Sequence, residues 1–529
     1  MARTEVVESG PVSAGQVSQR PLVAVAAVML GSFLASFDTR LLSLALPDLR
    51  GAMAMSFDEG SWFNTAGTAP QILIAPAVAW LATAFGVRRI LGIPALVYAV
   101  VSVLIPLVRD FHALLALNIV HGLLLGTFVP ATLLVIVRVL PMQWWVPALA
   151  IYCIRVGFSM NSGVALVGFY LEHAGWQWIY WQGALVAPLL ALLVHLGSPP
   201  EPVNRELVKD ADWGGMLLLG CGTAMIFVGL DQGNRLDWLH SGTVVSLLVS
   251  GAGLTICFFI NEATVAKPWA HANVLLSRNI GLALVTVLLF TLTSLSNSSL
   301  APGFLTNIVQ LRLYQSGTLF LAYATLPMLA LVPLSIYLVE THDVRITLMI
   351  GLAAFAAAGL LGTQVTHEWS PADFIPMAML QSVGQTFALF AVILFTLANS
   401  NPARSTAFAA YIQVMRLCGA EFGVSLMATW LRTHEQVSSN LLGLKVMRGE
   451  ADTTHVLSQL AAHFTPHGIS VAPARATSAL ATAIQREANT LAYVDAFWLT
   501  TWFAILALVC VAFMTPPPVG PFSPKSGAQ

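Results

Sequence analysis

Fourteen apolar runs, each long enough to cross a bilayer, follow one another along the 529 residues, and most gaps between them are short. A crossing helix needs roughly 20 mostly apolar residues at 1.5 Å rise each. The runs fall at 22–47, 60–83, 89–108, 112–137, 145–171, 177–197, 212–230, 241–261, 280–304, 317–339, 346–363, 373–398, 405–431 and 492–514. Only 9% of the residues are charged and 57% are hydrophobic, against about 25% charged in soluble domains. The bilayer is therefore the solvent for most of this surface. In that solvent every backbone N–H and C=O must be satisfied within its own segment, which demands helices. The chain is expected to be an all-α polytopic membrane protein. The first run is too long for a signal peptide and lacks a small-residue cleavage pattern, so it stays as a helix. The tails 1–21 and 515–529 are polar or Pro-rich and are expected to be disordered.

Lys and Arg in short loops set orientation. An even number of spans puts both termini on one side. That side carries Arg3, Arg20, Arg88, Arg89, Arg138, Arg205, Lys209, Lys267, Arg278, Arg345, Arg404 and Lys525; the opposite short loops hold Arg50, Arg109, Arg235 and Arg312. The imbalance places the termini in the cytoplasm, in a cytoplasmic (inner) membrane. The loop 432–491 lies outside, with helical spacing at 454–464 and 474–489. It covers the outer mouth, contacts a partner or is a plain solvated hairpin. The net charge of −1 gives no footprint for nucleic acid. Cys153, Cys221, Cys257, Cys418 and Cys510 all lie in spans and read as packing residues. There is no phosphate-binding GxxxxGK[ST] loop, HExxH pair or Cys cluster, so neither an enzyme, a cofactor nor a metal is expected.

Charges within spans are expensive and mark functional sites by default. Asp38, in the outer half of the first run, either exchanges a proton or braces the bundle through hydrogen bonds. Arg40 is two residues on, cannot face Asp38 on a helix, and is expected to snorkel to the outer interface, with a cavity position as the alternative. His121 in the fourth run is either a proton relay or a packing residue; with Asn118 it is expected to form a polar wall opposite Asp38. Arg155 and Arg416 sit at similar depth in the fifth and thirteenth runs, and two guanidiniums can hold a carboxylate or phosphate in a fork. Glu421 is the second buried acid. It is five residues from Arg416, about 140° around the helix, so it pairs across helices or titrates. Asp38, Glu421 and His121 are thus the proton-coupling candidates; Arg40, Asn118, Arg155 and Arg416 are the substrate-cavity candidates. Gly86, Arg88 and Arg89 form a tight turn, and Gly163 and Gly168 thin the fifth helix for close packing.

The chain also repeats itself weakly. Pro76, Trp80, Leu81, Val87 and Arg88 match Pro333, Tyr337, Leu338, Val344 and Arg345 at one constant offset. Both sets end a span and enter a short turn. The match assigns six spans to each half (22–198 and 280–514), with the linker and two inserted helices at 199–279.

In order along the chain come Ser36-Phe37-Asp38-Thr39 with Leu44-Ala45-Leu46-Pro47, Trp62 with Thr65, and Gly175-Trp176-Gln177-Trp178-Ile179-Tyr180. Then follow Asp212-Trp213-Gly214, Gly229-Leu230-Asp231-Gln232-Gly233, Arg416-Leu417-Cys418-Gly419 with Gly423, and Ala492-Tyr493-Val494-Asp495-Ala496-Phe497. This series resembles the fourteen-helix drug:proton antiporters of the major facilitator superfamily, of the EmrB/QacA type. The resemblance implies two six-helix bundles around a central cavity lined by helices five and thirteen. It implies proton-coupled export of small amphipathic compounds by alternating access, a gating role for the turn at Gly86, Arg88 and Arg89, and, in a cell with two membranes, a periplasmic adaptor and an outer-membrane channel as partners. The chain departs from the pattern at Thr83, where the cytoplasmic signature has an acid; at Asn118, where helix four has an arginine; and at Val164 and Val167, where the helix-five antiporter motif has proline and glycine. A proton-coupled importer or facilitator of an organic anion is the alternative, and a sensor on a transporter fold is the alternative of another class.

Overall fold

The computed structural model describes residues 18–400, 405–447, 451–464 and 471–517. Arg3, Arg404, Arg448, Lys525 and most of both tails lie outside the described residues, so the expected disorder of the tails is not addressed. Among the described residues there is no strand, and thirteen helices are long and apolar enough to cross a membrane. They are α1 (Pro21–Ala52), α2 (Phe57–Phe85), α3 (Val87–Leu104), α4 (Phe111–Val139), α5 (Trp145–Phe169), α6 (Trp178–Gly197), α7 (Trp213–Leu236) and α8 (Gly242–Thr264), then α9 (Arg278–Asn307) and α10 (Leu313–Thr341), both interrupted by a π-turn, followed by α11 (Val344–Gly362), α12 (Ile375–Asn399) and, after the helix Ser405–Met447 (α13), α14 (Ala472–Ala512). α13 contains the run 405–431 and is not among the thirteen; Gln413, Arg416 and Glu421 reduce its hydropathy.

Local chemistry sets the helix ends. Ser56 and Glu59 form a reciprocal capping box at the start of α2, with bonds of 3.2 and 2.8 Å. Asp110, Asp212 and Asp343 cap α4, α7 and α11 by accepting from backbone N–H groups at 2.8–2.9 Å. Gly86 separates α2 from α3 at φ +88°, a conformation that disfavours a side chain. Pro76 and Pro333 lie inside α2 and α10, and Val87 and Val344, both buried, open α3 and α11.

α1 packs on α4, α5 and α6, α2 on α4, and α3 on α4 and α6; α9, α11, α12, α13 and α14 pack among themselves. α7 and α8 pair, and α7 also lies against both α2 and α13. The two groups meet where α5 contacts α10 and α12, and where α2 contacts α13. Gly168 and Gly317 permit this: a Cβ on either would sit 2.5 Å from the backbone nitrogen of Tyr314 or Ala165 respectively. α4 and α12 are buried nearly all round over 125–136 and 385–396, the signature of central helices. α3, α6 and α8 leave Ile93, Leu185 and Ile256 59–66% exposed, as lipid-facing helices do.

α13 and α14 have 43 and 41 residues, or roughly 60 Å each against a hydrocarbon core of about 30 Å. α13 extends to Met447 and α14 begins at Ala472, so the helical spacing read at 454–464 and 474–489 falls on helix. The helix Ala451–Phe464 packs on α14. Hydropathy falls where a helix leaves the bilayer, but good helix formers such as Ala, Leu, Gln and Arg let it continue.

Candidate transport site

Asp38, on α1, is 1% exposed. Its Oδ1 accepts from Gln182 Nε2 of α6 at 3.1 Å, and Gln182 Oε1 accepts from the Tyr170 hydroxyl at 3.0 Å. Asp38 Oδ2 has no partner among the described residues; nor do the Tyr98 and Tyr180 hydroxyls, Ser102 Oγ or either ring nitrogen of His121, and all are buried. These groups converge. Tyr98 stacks on His121 with centroids 4.3 Å apart, and Tyr180 meets the same imidazole at 5.7 Å. A Cβ on Gly183 would lie 3.0 Å from Asp38 Oδ2, 3.0 Å from the Tyr98 ring and 3.4 Å from Ser102 Oγ. Helices α1, α3, α4 and α6 thus enclose one polar chamber. Leaving a buried polar group unpaired costs about 1–3 kcal/mol, and polar groups gathered within spans are where function is sought by default.

Sequence reasoning found Asp38 and His121 here but missed Tyr98, Ser102, Tyr180 and Gln182. Their signal is that each is polar within a span, and none is charged. Asn118 does not join the expected wall. Its Nδ2 donates to the Phe63 carbonyl of α2 at 2.6 Å, one turn below His121, and it packs on Gly67. It ties α2 to α4.

A second constellation lies between the two helix groups. Arg155, 1% exposed, donates to Ser36 Oγ at 3.0 Å, and its Cζ lies 4.3 Å from the Tyr152 ring centroid. Its Nε and Nη2 are buried without partners. Arg416 donates from Nη2 to Gln413 Oε1 at 3.0 Å and leaves Nη1 without a partner. The two guanidiniums lie within electrostatic reach of each other and of Cys153. Phe33, Phe37 and Phe158 form an aromatic wall on α1 and α5, with centroids 5.4–6.4 Å apart. Two like charges facing one interior, with unspent donors beside aromatic surface, suit an amphipathic anion.

Arg40 departs from the expected snorkel. Its Nη2 donates to the Ser298 carbonyl of α9 at 2.7 Å, within the π-turn Ser296–Leu300. That turn presents a carbonyl within reach, and Gly163 leaves room for the stem: a Cβ there would lie 2.8 Å from Arg40 Cγ. Glu421 does not meet Arg416. It faces α7, where Asp231 is its charged neighbour. Asp231 in turn accepts from Thr65 and, at 3.4 Å, from Gln232. Arg235 bonds Asp58 at 2.7 Å and lies 5.6 Å from the Trp62 ring centroid. The Trp62/Thr65 and Asp231-Gln232 motifs, quoted separately from the sequence, are therefore one contact between α2 and α7. Asp495, within the motif that opens the last apolar run, pairs with His434 at 2.8 Å. At the Gly86 turn, Arg88 Nε donates to His195 Nδ1 at 3.0 Å, and Arg89 reaches the Phe85 carbonyl only at 3.5 Å.

The family model described as Major Facilitator Superfamily matches residues 28–424. The chain belongs to that superfamily. Two curated relatives of this major facilitator span most of both chains. The multidrug export protein EmrB of Haemophilus influenzae is 24% identical over 505 residues, covering 93% of this chain and 95% of the relative. The fatty acid resistance protein FarB of Neisseria gonorrhoeae is 22% identical over 446 residues, covering 83% and 86%. Among solved structures, the human organic anion transporter MFSD10 superposes with a TM-score of 0.54 at 13% identity, covering 92% of this chain and 99% of that one; that likeness concerns the fold. The chain is a multi-pass membrane transporter, not an enzyme, and at these identities a divergent member of its superfamily.

Proposed function

We propose that the protein is a proton-coupled exporter of small amphipathic organic compounds, with organic anions as its preferred class. It works by alternating access between bundles 22–198 and 280–514, with α7 and α8 inserted, α13 as a fourteenth crossing helix and both termini in the cytoplasm. The observation that carries this reading is that the buried Arg155 guanidinium of α5 and the Arg416 guanidinium of α13 lie within electrostatic reach of each other and keep unspent donors, with the Phe33, Phe37 and Phe158 wall on α1 and α5. The guanidiniums take the carboxylate and the rings take the apolar body. Asp38 lies apart in its own chamber with His121, Tyr98 and Tyr180, which suits a site for the coupled proton. EmrB, named as a multidrug export protein, supports the direction, and FarB, named for fatty acid resistance, supports the substrate class.

Inverted membrane vesicles test it. An imposed acid-interior gradient should be dissipated on adding a medium-chain fatty acid and less by a lipophilic cation of similar size. A larger response to the cation overturns the substrate class. Flux that builds the gradient instead of spending it makes the protein a symporter, a reading favoured by Val164 and Val167 in the helix-five motif. Binding without flux of any compound makes it a sensor.

The outer ends of α13 and α14 offer a place for a periplasmic adaptor, which would pass substrate to an outer-membrane channel. Val437, Leu441 and Leu444 are 48–58% exposed there, beyond the length that crosses lipid.

A further inference from the structure

Beside the Gly86 turn, α3 and α6 enclose a cavity of about 380 Å³ that no transport step above uses. Its polar end holds Arg88, Arg89, His195 and Glu201, and its apolar side holds Ile93 and Leu96. The Arg88 Nε–His195 Nδ1 bond of 3.0 Å fixes the guanidinium edge toward α6. Glu201 Oε1 is buried and takes no hydrogen bond from any described residue. Ile93 and Leu96 are 59% and 53% exposed, and Leu192 of α6, next in the chain to the cavity-lining Ala191, is 52% exposed. Cationic groups sit at the mouth, one unspent acceptor sits within, and a continuous apolar face leads away along both helices.

That combination is amphipathic, with charged groups beside apolar side chains that stay exposed, so its complement is a molecule with a charged head and an apolar body, as the bilayer supplies. With His195 neutral, Arg88, Arg89 and Glu201 sum to one positive charge. The geometry points to a binding site for a monoanionic glycerophospholipid whose headgroup carries a hydroxyl, as phosphatidylglycerol does. The phosphate takes the two arginines. The headgroup hydroxyl donates to Glu201 Oε1, which a choline headgroup cannot do; an ethanolamine ammonium can donate there, but its zwitterionic lipid leaves the net positive charge of the site unneutralised. The acyl chains lie along Ile93, Leu96 and Leu192. A lipid seated there ties the α2–α3 turn to α6, so turn mobility depends on the surrounding leaflet. The site does not depend on which solute is transported or in which direction.

Native mass spectrometry of the full-length protein in detergent, titrated with single lipids, tests this directly. Phosphatidylglycerol should bind about tenfold more tightly than phosphatidylethanolamine or phosphatidylcholine, and the double variant Arg88→Gln/Arg89→Gln should abolish the preference. Glu201→Gln keeps an acceptor and removes the opposing charge, so it should tighten phosphatidylglycerol several-fold. This gain remains readable if the arginine variant does not fold. Equal retention of the three lipids overturns the proposal, as does an unchanged preference in the double variant or no gain in Glu201→Gln. Displacement of the lipid by millimolar inorganic phosphate also overturns it, because it would make the cavity a soluble-anion site.

Discussion

At the scale of single residues, the chamber around Asp38 separates the proposed proton site from the proposed solute site. If Asp38 carries the coupled proton, Asp38→Asn reduces substrate-linked proton movement to background while substrate still binds, which isothermal titration of the purified protein would register. Retained proton movement in that variant would remove Asp38 from the mechanism. Arg155→Lys keeps the charge but loses the planar fork. It is expected to raise KM for an amphipathic carboxylate about tenfold, equivalent to about 1.4 kcal/mol, and to leave a neutral substrate nearly unchanged. Equal losses for both would mean that Arg155 supports packing instead. Asp38, Arg155 and Arg416 were legible in the sequence because charge within an apolar run stands out. Tyr98, Ser102 and Tyr180 were not, because neutral polar residues occur in spans for many reasons and only convergence distinguishes these.

At the scale of elements, glycines and caps decide how closely helices approach and where they turn. Gly168→Val would drive a side chain into the backbone of Tyr314, where only 2.5 Å is available even to a Cβ. Overpacking of this kind costs about 1–3 kcal/mol; a lower Tm in detergent together with greater outer-side cysteine labelling at the α5–α10 seam is expected. An unchanged Tm and labelling pattern would show that the two helices part freely. The α10–α11 turn gives a pH prediction. Burial pushes the Asp343 carboxyl up, but hydrogen bonds from the side chain and backbone of Arg345, and its charge, outweigh that and hold it below the usual range. Arg345 also donates to the Met514 carbonyl at 2.8 Å. Because the folded value is the lower one, the stability from Asp343 is present above about pH 4 and is lost as pH falls through the folded value. Asp343→Asn should therefore flatten the fall in Tm between pH 5 and pH 3. The capping residue and the turn were readable from Asp343-Val344-Arg345; the bond to Met514 was not, since it joins positions far apart in the chain.

At the scale of the whole molecule, Arg40 is a crossbar. It belongs to α1, yet it bonds a carbonyl of α9 in the other helix group, and separating the groups at that level must break the bond. Arg40→Ala is expected to favour the separated arrangement and to increase modification of a cysteine placed at Ser298, read by mass shift in membranes. Labelling equal to that of the Arg40-intact protein would show that the bond carries no part of the closure. The same scale explains the inserted pair: α7 bridges α2 and α13, and its Asp231 lies between Thr65 and Glu421. α7 thus touches both groups that alternating access would move.

The sequence by itself determined the solvent of this protein, the number and order of its apolar runs, the side on which positive charge collects, and the superfamily. Each of these is a property of one segment at a time, set by hydropathy, length and charge. Only the tertiary structure decided which polar residues meet. Whether Arg155 meets Ser36, Arg40 meets Ser298, or Asn118 turns from Asp38 to a backbone carbonyl depends on the rotation and neighbours of each helix. In a chain apolar on nearly every face, the hydrophobic period leaves that rotation undetermined. It is fixed instead by close contacts at small residues and by the need to pair the few polar atoms that lipid cannot solvate.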